Sequence, residues 1–68
     1  MVRVNKNVLS LLDPNRNLMI SIRKGDIVAV GNVYYTVTSV GNGQAKITNG
    51  SQVYSIRAGQ AYFVRRPG

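Results

Sequence analysis

Apolar and polar positions alternate along most of this chain. Leu18, Ile20 and Ile22 are interleaved with Met19, Ser21 and Arg23, the period of a strand with one buried face. Ile27 to Val30 is a short, largely β-branched run. From Val33 to Val40 the alternation returns, with Val33, Tyr35 and Val37 on one face and Tyr34, Thr36 and Thr38 on the other. Gln44 to Thr48, Gln52 to Ile56 and Ala61 to Val64 complete the series. Between these segments stand Lys24-Gly25-Asp26, Gly31-Asn32, Gly41-Asn42-Gly43, Asn49-Gly50 and Arg57-Ala58-Gly59-Gln60, the residues that tight turns and hairpins require. Turn signals spaced about ten residues apart predict a meander of hairpins. The chain is too short for the two sheets of a sandwich, so the pattern predicts a small barrel.

The N-terminal stretch reads differently. Val4, Val8, Leu11 and Leu12 fall at the spacing of one helical face, and Asp13-Pro14-Asn15 supplies a stop. A short amphipathic helix over Asn5 to Leu12 is the expectation. An extended arm competes with it, because Val2 and Val4 alternate with Arg3 and Asn5. The chain therefore reads as one all-β domain over 1–68, with the helix and its turn in 1–17 and a five-stranded barrel in 18–66.

A domain of 68 residues is marginal without a staple or a partner subunit. The sequence has no Cys and no His, and Asp13 and Asp26 are its only carboxylate side chains, so neither a disulfide nor a metal centre has a donor set. Self-association is the remaining route, and homo-oligomerisation is expected. Nine Lys and Arg against two Asp give a formal charge of +7, a field that draws polyanions. No apolar run suffices to span a bilayer, and the first residues lack a secretory pattern, so a cytoplasmic protein without a membrane partner is expected. Catalysis is not expected either: no carboxylate pair exists, and Ser10, Ser21, Ser39, Ser51 and Ser55 have no neighbouring base. No cofactor-binding motif is present, since Gly41-Asn42-Gly43 and Lys24-Gly25-Asp26 lack the spacing of a phosphate loop.

Ile56-Arg57-Ala58-Gly59-Gln60-Ala61-Tyr62-Phe63-Val64 resembles the second motif of Sm-like proteins, in which an apolar strand ends in Ile-Arg-Gly and a short apolar strand follows the corner. Here Ala58 stands where the family has Gly, and Gly59 comes one residue later. Met19 to Gly25 is similar to the family's first strand. The Asp that the first Sm motif places near the turn between the second and third strands is missing from Val40-Gly41-Asn42-Gly43-Gln44. The resemblance implies a homo-oligomeric ring that binds single-stranded RNA, in preference to DNA, with Arg57, Asn42 and Gln44 near a rim that meets bases.

The other basic residues form three groups, Arg3 with Lys6, Arg23 with Lys24 and Arg65 with Arg66, with Arg16 and Lys46 between them, and Arg23, Lys24, Arg65 and Arg66 are expected to contact phosphates. Tyr34, Tyr54 and Tyr62 are candidates for stacking on bases, opposite in strand phase to Tyr35 and Phe63. For Arg57 a structural role, pairing with Asp26 or with backbone carbonyls, is the competing reading. Lys24 to Val30 also looks like the opening of many SH3-like barrels. That broader likeness leaves an alternative function, a small structural or assembly protein such as a virion component, whose basic face lies against nucleic acid.

Overall fold

A computed structural model describes residues 8–67. These residues form seven strands: β1 (Ser10–Asp13), β2 (Leu18–Ser21), β3 (Ile27–Val30), β4 (Val33–Gly41), β5 (Gln44–Thr48), β6 (Val53–Arg57) and β7 (Tyr62–Arg65). All seven belong to one open sheet in the order β2-β1-β7-β3-β4-β5-β6. The all-β expectation holds, and each strand read from residue 18 onward is present to within two residues at each end. The five-stranded barrel is corrected to this larger sheet, whose edge strands β2 and β6 have no further partner among the described residues.

The expected helix over Asn5 to Leu12 is also corrected. Residues 5–7 lie outside the described residues, while Ser10 to Leu12 belong to β1 and no helix occurs among the described residues. Leu9, Leu11 and Asp13 are buried to 4%, 0% and 3% exposure, whereas Val8 is 40% exposed. The operative period is therefore two. A carboxylate at the third inward position disguises it as something else.

Asp13 turns inward because the turn after it needs an acceptor. Its Oδ1 accepts the backbone N–H groups of Asn15 at 3.0 Å and Arg16 at 3.3 Å. Its carbonyl takes the N–H of Asn17 at 2.7 Å, and Asn17 itself sits at φ 55°. Asn tolerates this left-handed conformation better than other side chains do. The closed turn returns the chain as β2, antiparallel to β1 with Leu11 opposite Ile20.

From β3 onward, β3, β4, β5 and β6 pair antiparallel in sequence order, and β7 returns to pair antiparallel with β3 and parallel with β1. One buried cluster draws on β1, β3, β4, β5, β6 and β7, so the sheet curls around its own inner face. Leu11, Val28, Val37 and Ile47 are at its centre, each at 1% exposure or less. Burial of side chains of this size stabilises the fold by about 1.5–3 kcal/mol each. The expected corner between β6 and β7 is present: the N–H of Gln60 bonds the carbonyl of Arg57 at 3.1 Å, and the Gln60 side-chain oxygen accepts the N–H of Arg57 at 2.6 Å. Gly59 takes the positive φ of 88° that this corner requires, which is why Ala is tolerated at 58.

Candidate nucleic-acid interface

Both side-chain carboxylates of the chain are inside the fold, Asp13 at 3% and Asp26 at 1% exposure. Burying a carboxylate is costly unless it is bonded and paired, and each has partners. Asp13 closes the β1–β2 turn. Asp26 Oδ2 accepts the backbone N–H of Arg23 at 2.8 Å, and its two oxygens receive Nε and Nη2 of Arg66, each at 3.0 Å. Arg66 Nη2 also donates to the carbonyl of Ser21 at 2.8 Å, and the guanidinium lies 5.8 Å from the centre of the Phe63 ring. Hydrogen bonding to Asp26, aided by its charge and opposed by desolvation, holds the Arg66 pKa above its ordinary value. Arg66, expected to meet phosphate, is thus committed to tying the end of the chain to the β2–β3 link. It occupies the place beside Asp26 that the structural reading of Arg57 requires.

Of the other expected residues, Arg23, Lys24, Asn42, Arg57, Tyr62 and Arg65 are exposed and Gln44 is half-buried. Arg23 and Lys24 occupy the link after β2, where the N–H of Gly25 bonds the carbonyl of Val37 at 2.8 Å and sets the turn against the middle of β4. Arg65 lies opposite Ile27, past an irregularity in the β3–β7 register. The Arg16 side chain is 73% exposed, and its guanidinium comes no nearer to the Asp13 carboxylate than 3.9 Å. An ion pair of that length at the surface contributes little.

Arg57, Gln44 and Asn42, far apart in sequence, are brought together by strand register. Gln44 pairs with Arg57 across β5 and β6 and with Gly41 across β4 and β5. Asn42 and Gly43 form the turn between β4 and β5, both with positive φ, at 56° and 71°. That is the type I′ geometry for which Asn-Gly is preferred. Ala45 and Ile56 point inward from the same strands, so Gln44, Lys46 and Arg57 share the outer face. Lys46 lies one diagonal step from Arg57; no motif marks it in the sequence, and only the β5–β6 register reveals its place. A shallow depression beside this cluster is lined by Ser39, Asn42, Gln44 and Lys46.

The tyrosines separate into two kinds. Tyr54 pairs with the buried Ile47 and so shares the inner phase; its ring meets Tyr35 edge-on, with centroids 5.6 Å apart at 85°. Tyr54, 42% exposed, therefore has one ring partner inside the fold. Tyr34 and Tyr62 are 65% and 53% exposed, and both pair with Ala29 from opposite sides. Comparison with known proteins gives no match: no family model fits the chain, and no curated protein or solved structure is significantly similar to it.

Proposed function

We propose that this chain is a nucleic-acid-binding module that assembles as a homo-oligomer and holds single-stranded RNA on its outer face. The observation that carries the reading is the burial of both carboxylates, which leaves the outer surface with cationic side chains and no acidic ones. Arg23, Lys24, Lys46, Arg57 and Arg65 make no ion pair with either carboxylate. Uncompensated charge of this kind attracts phosphates and releases their counterions on binding. In this reading Arg57, Asn42 and Gln44 meet bases, and the Sm-like resemblance over Ile56 to Val64 supports that role for Arg57. The open edges of β2 and β6 support self-association, since they expose Leu18, Met19, Val53 and Tyr54.

The test is anisotropy titration of a labelled oligouridylate of about 12 nucleotides, at about 50 mM and about 200 mM salt. Affinity should fall steeply with salt. Replacing Lys46 or Arg65 by Gln should reduce the slope of log K against log salt by about 0.7 for each phosphate that is no longer neutralised. Arg57→Ala should instead change the ranking among oligouridylate, oligoadenylate and oligocytidylate. Binding no tighter than to a neutral polymer at the lower salt would sink the proposal.

A further inference from the structure

Tyr34 and Tyr62 stand on β4 and β7, the two neighbours of β3, and Ala29 lies between them in register with both. Directly paired residues project from the same face of a sheet. That face is the outer one, because Val28, Phe63 and Tyr35 in the adjacent positions belong to the core or pack on it. Ala29 has only a methyl group, and the two rings line a groove together with Ala29, Gly31, Pro14 and Asn15. Among the described residues nothing covers these two aromatic rings. Hydrophobic burial does not account for rings that remain more than half exposed.

The charge around the groove selects its occupant. A second groove shares Asn15, Phe63 and Val64 with the first and carries Arg16, Arg65 and Arg66 on its wall. Asp13 also lines it, but its Oδ1 is taken by the turn and its side chain is 4% exposed. Arg66 is held by Asp26, which leaves Arg16 and Arg65 to face a ligand. Aromatic platforms beside cations, with no exposed carboxylate, suit a chain of stacked bases joined by phosphates. The spacing fits as well: strands two apart in a sheet are separated by about 9.5 Å, close to three steps of about 3.4 Å along a stacked strand. A short run of stacked nucleotides on one strand can therefore reach both rings.

From this placement we infer that the Tyr34–Ala29–Tyr62 groove is a base-stacking site that takes unpaired nucleotides, with Arg16 and Arg65 on the adjoining phosphates. It lies at the opposite end of β4 from the Asn42 turn, so it is a second binding region and not an extension of the Arg57 cluster. The inference rests on the ligand being a nucleic acid, as proposed above, and makes the preference for single strands a property of these two rings. Paired bases present their edges and not their faces, so a duplex has nothing to offer the groove.

The test compares the oligouridylate with an RNA duplex of the same length, using the full chain and its Tyr34→Ala, Tyr62→Ala, Tyr34→Phe and Tyr62→Phe variants. Each Ala variant should lose about tenfold in single-strand affinity, while each Phe variant keeps it and the duplex affinity and salt slope stay as they were. Ala29→Leu, which fills the groove without removing a ring, should give a similar loss. Both tyrosines are exposed, and circular dichroism checks that every variant is folded. Unchanged single-strand affinity in both Ala variants, with Lys46→Gln and Arg57→Ala still weakening it, overturns this site and leaves the general reading intact. Saturable binding of a proline-rich peptide that disappears in the Ala variants, with no nucleic acid bound at low salt, overturns both.

Discussion

Arg65 and Arg66 are adjacent in the chain and are held to different tasks. Arg66 bonds both oxygens of a buried carboxylate, whereas Arg65 is exposed and has no side-chain partner among the described residues. Arg66→Gln should lower the urea midpoint and leave the salt slope of nucleic-acid binding unchanged; Arg65→Gln should do the reverse. Equal effects of the two on binding would refute this division. Removing the carboxylate is the sharper stability test, because Asp26→Ala deletes the acceptor of the Arg23 N–H together with both bonds from Arg66, and bonds to a charged group contribute about 1.5–3 kcal/mol each. The pH dependence of the Arg66 contribution follows from its raised pKa. A base whose folded pKa lies above its unfolded value contributes fully below the unfolded value and loses that contribution as pH rises through the folded one. The ordinary arginine value is already strongly alkaline and the folded one lies above it, so the window of loss is more alkaline still. The stability difference between Arg66→Gln and the parent chain should therefore be the same at about pH 6 and about pH 9, as denaturant titrations at both would reveal.

At the scale of elements, the β4–β5 hairpin carries two roles on one residue. Asn42 has φ 56° and stands beside Gln44 and Arg57 at the candidate interface. Asn42→Gly preserves the turn and deletes the amide, so it should keep the thermal midpoint and reduce discrimination among homopolymeric RNAs. Asn42→Val forces a branched side chain into the left-handed region and should cost about 1–2 kcal/mol. If Asn42→Gly left the affinity ratios unchanged, the residue would be a turn former and nothing more. The hairpins are legible in the sequence because Gly and Asn fall where the turns are and the strands between them alternate. β1 is not, since Asp13 occupies an inward position and Val8, Leu11 and Leu12 satisfy a helical spacing equally well. The site is legible only as a set of residue types. Which tyrosines face out together, and that Lys46 lies near Arg57, depend on strand register, and register is not written in any single strand.

The molecule combines two sheet edges that are unpaired among the described residues with a charge of +7. Protected edges usually carry Lys or Pro, yet β2 reads Leu-Met-Ile-Ser and β6 reads Val-Tyr-Ser-Ile-Arg, so only Arg57, at the end of β6, is charged. Val53 and Met19 are about as exposed as each other, at 61% and 60%, and both edges offer backbone groups to another strand. Self-repulsion opposes the pairing of copies, but salt screens it, with a Debye length of about 10 Å at 0.1 M. The same salt weakens phosphate binding through counterions. Rising ionic strength should therefore move the two properties in opposite directions: light scattering should report larger assemblies as anisotropy reports weaker RNA binding. Val53→Lys, which places a charge on the β6 edge away from the core, should reduce the assembly without unfolding the chain. A single species near the chain mass of 7.4 kDa at micromolar concentration and high salt would defeat the assembly prediction. An assembly that shrank as salt rose would mean that charge pairing, not the apolar edges, holds the copies together.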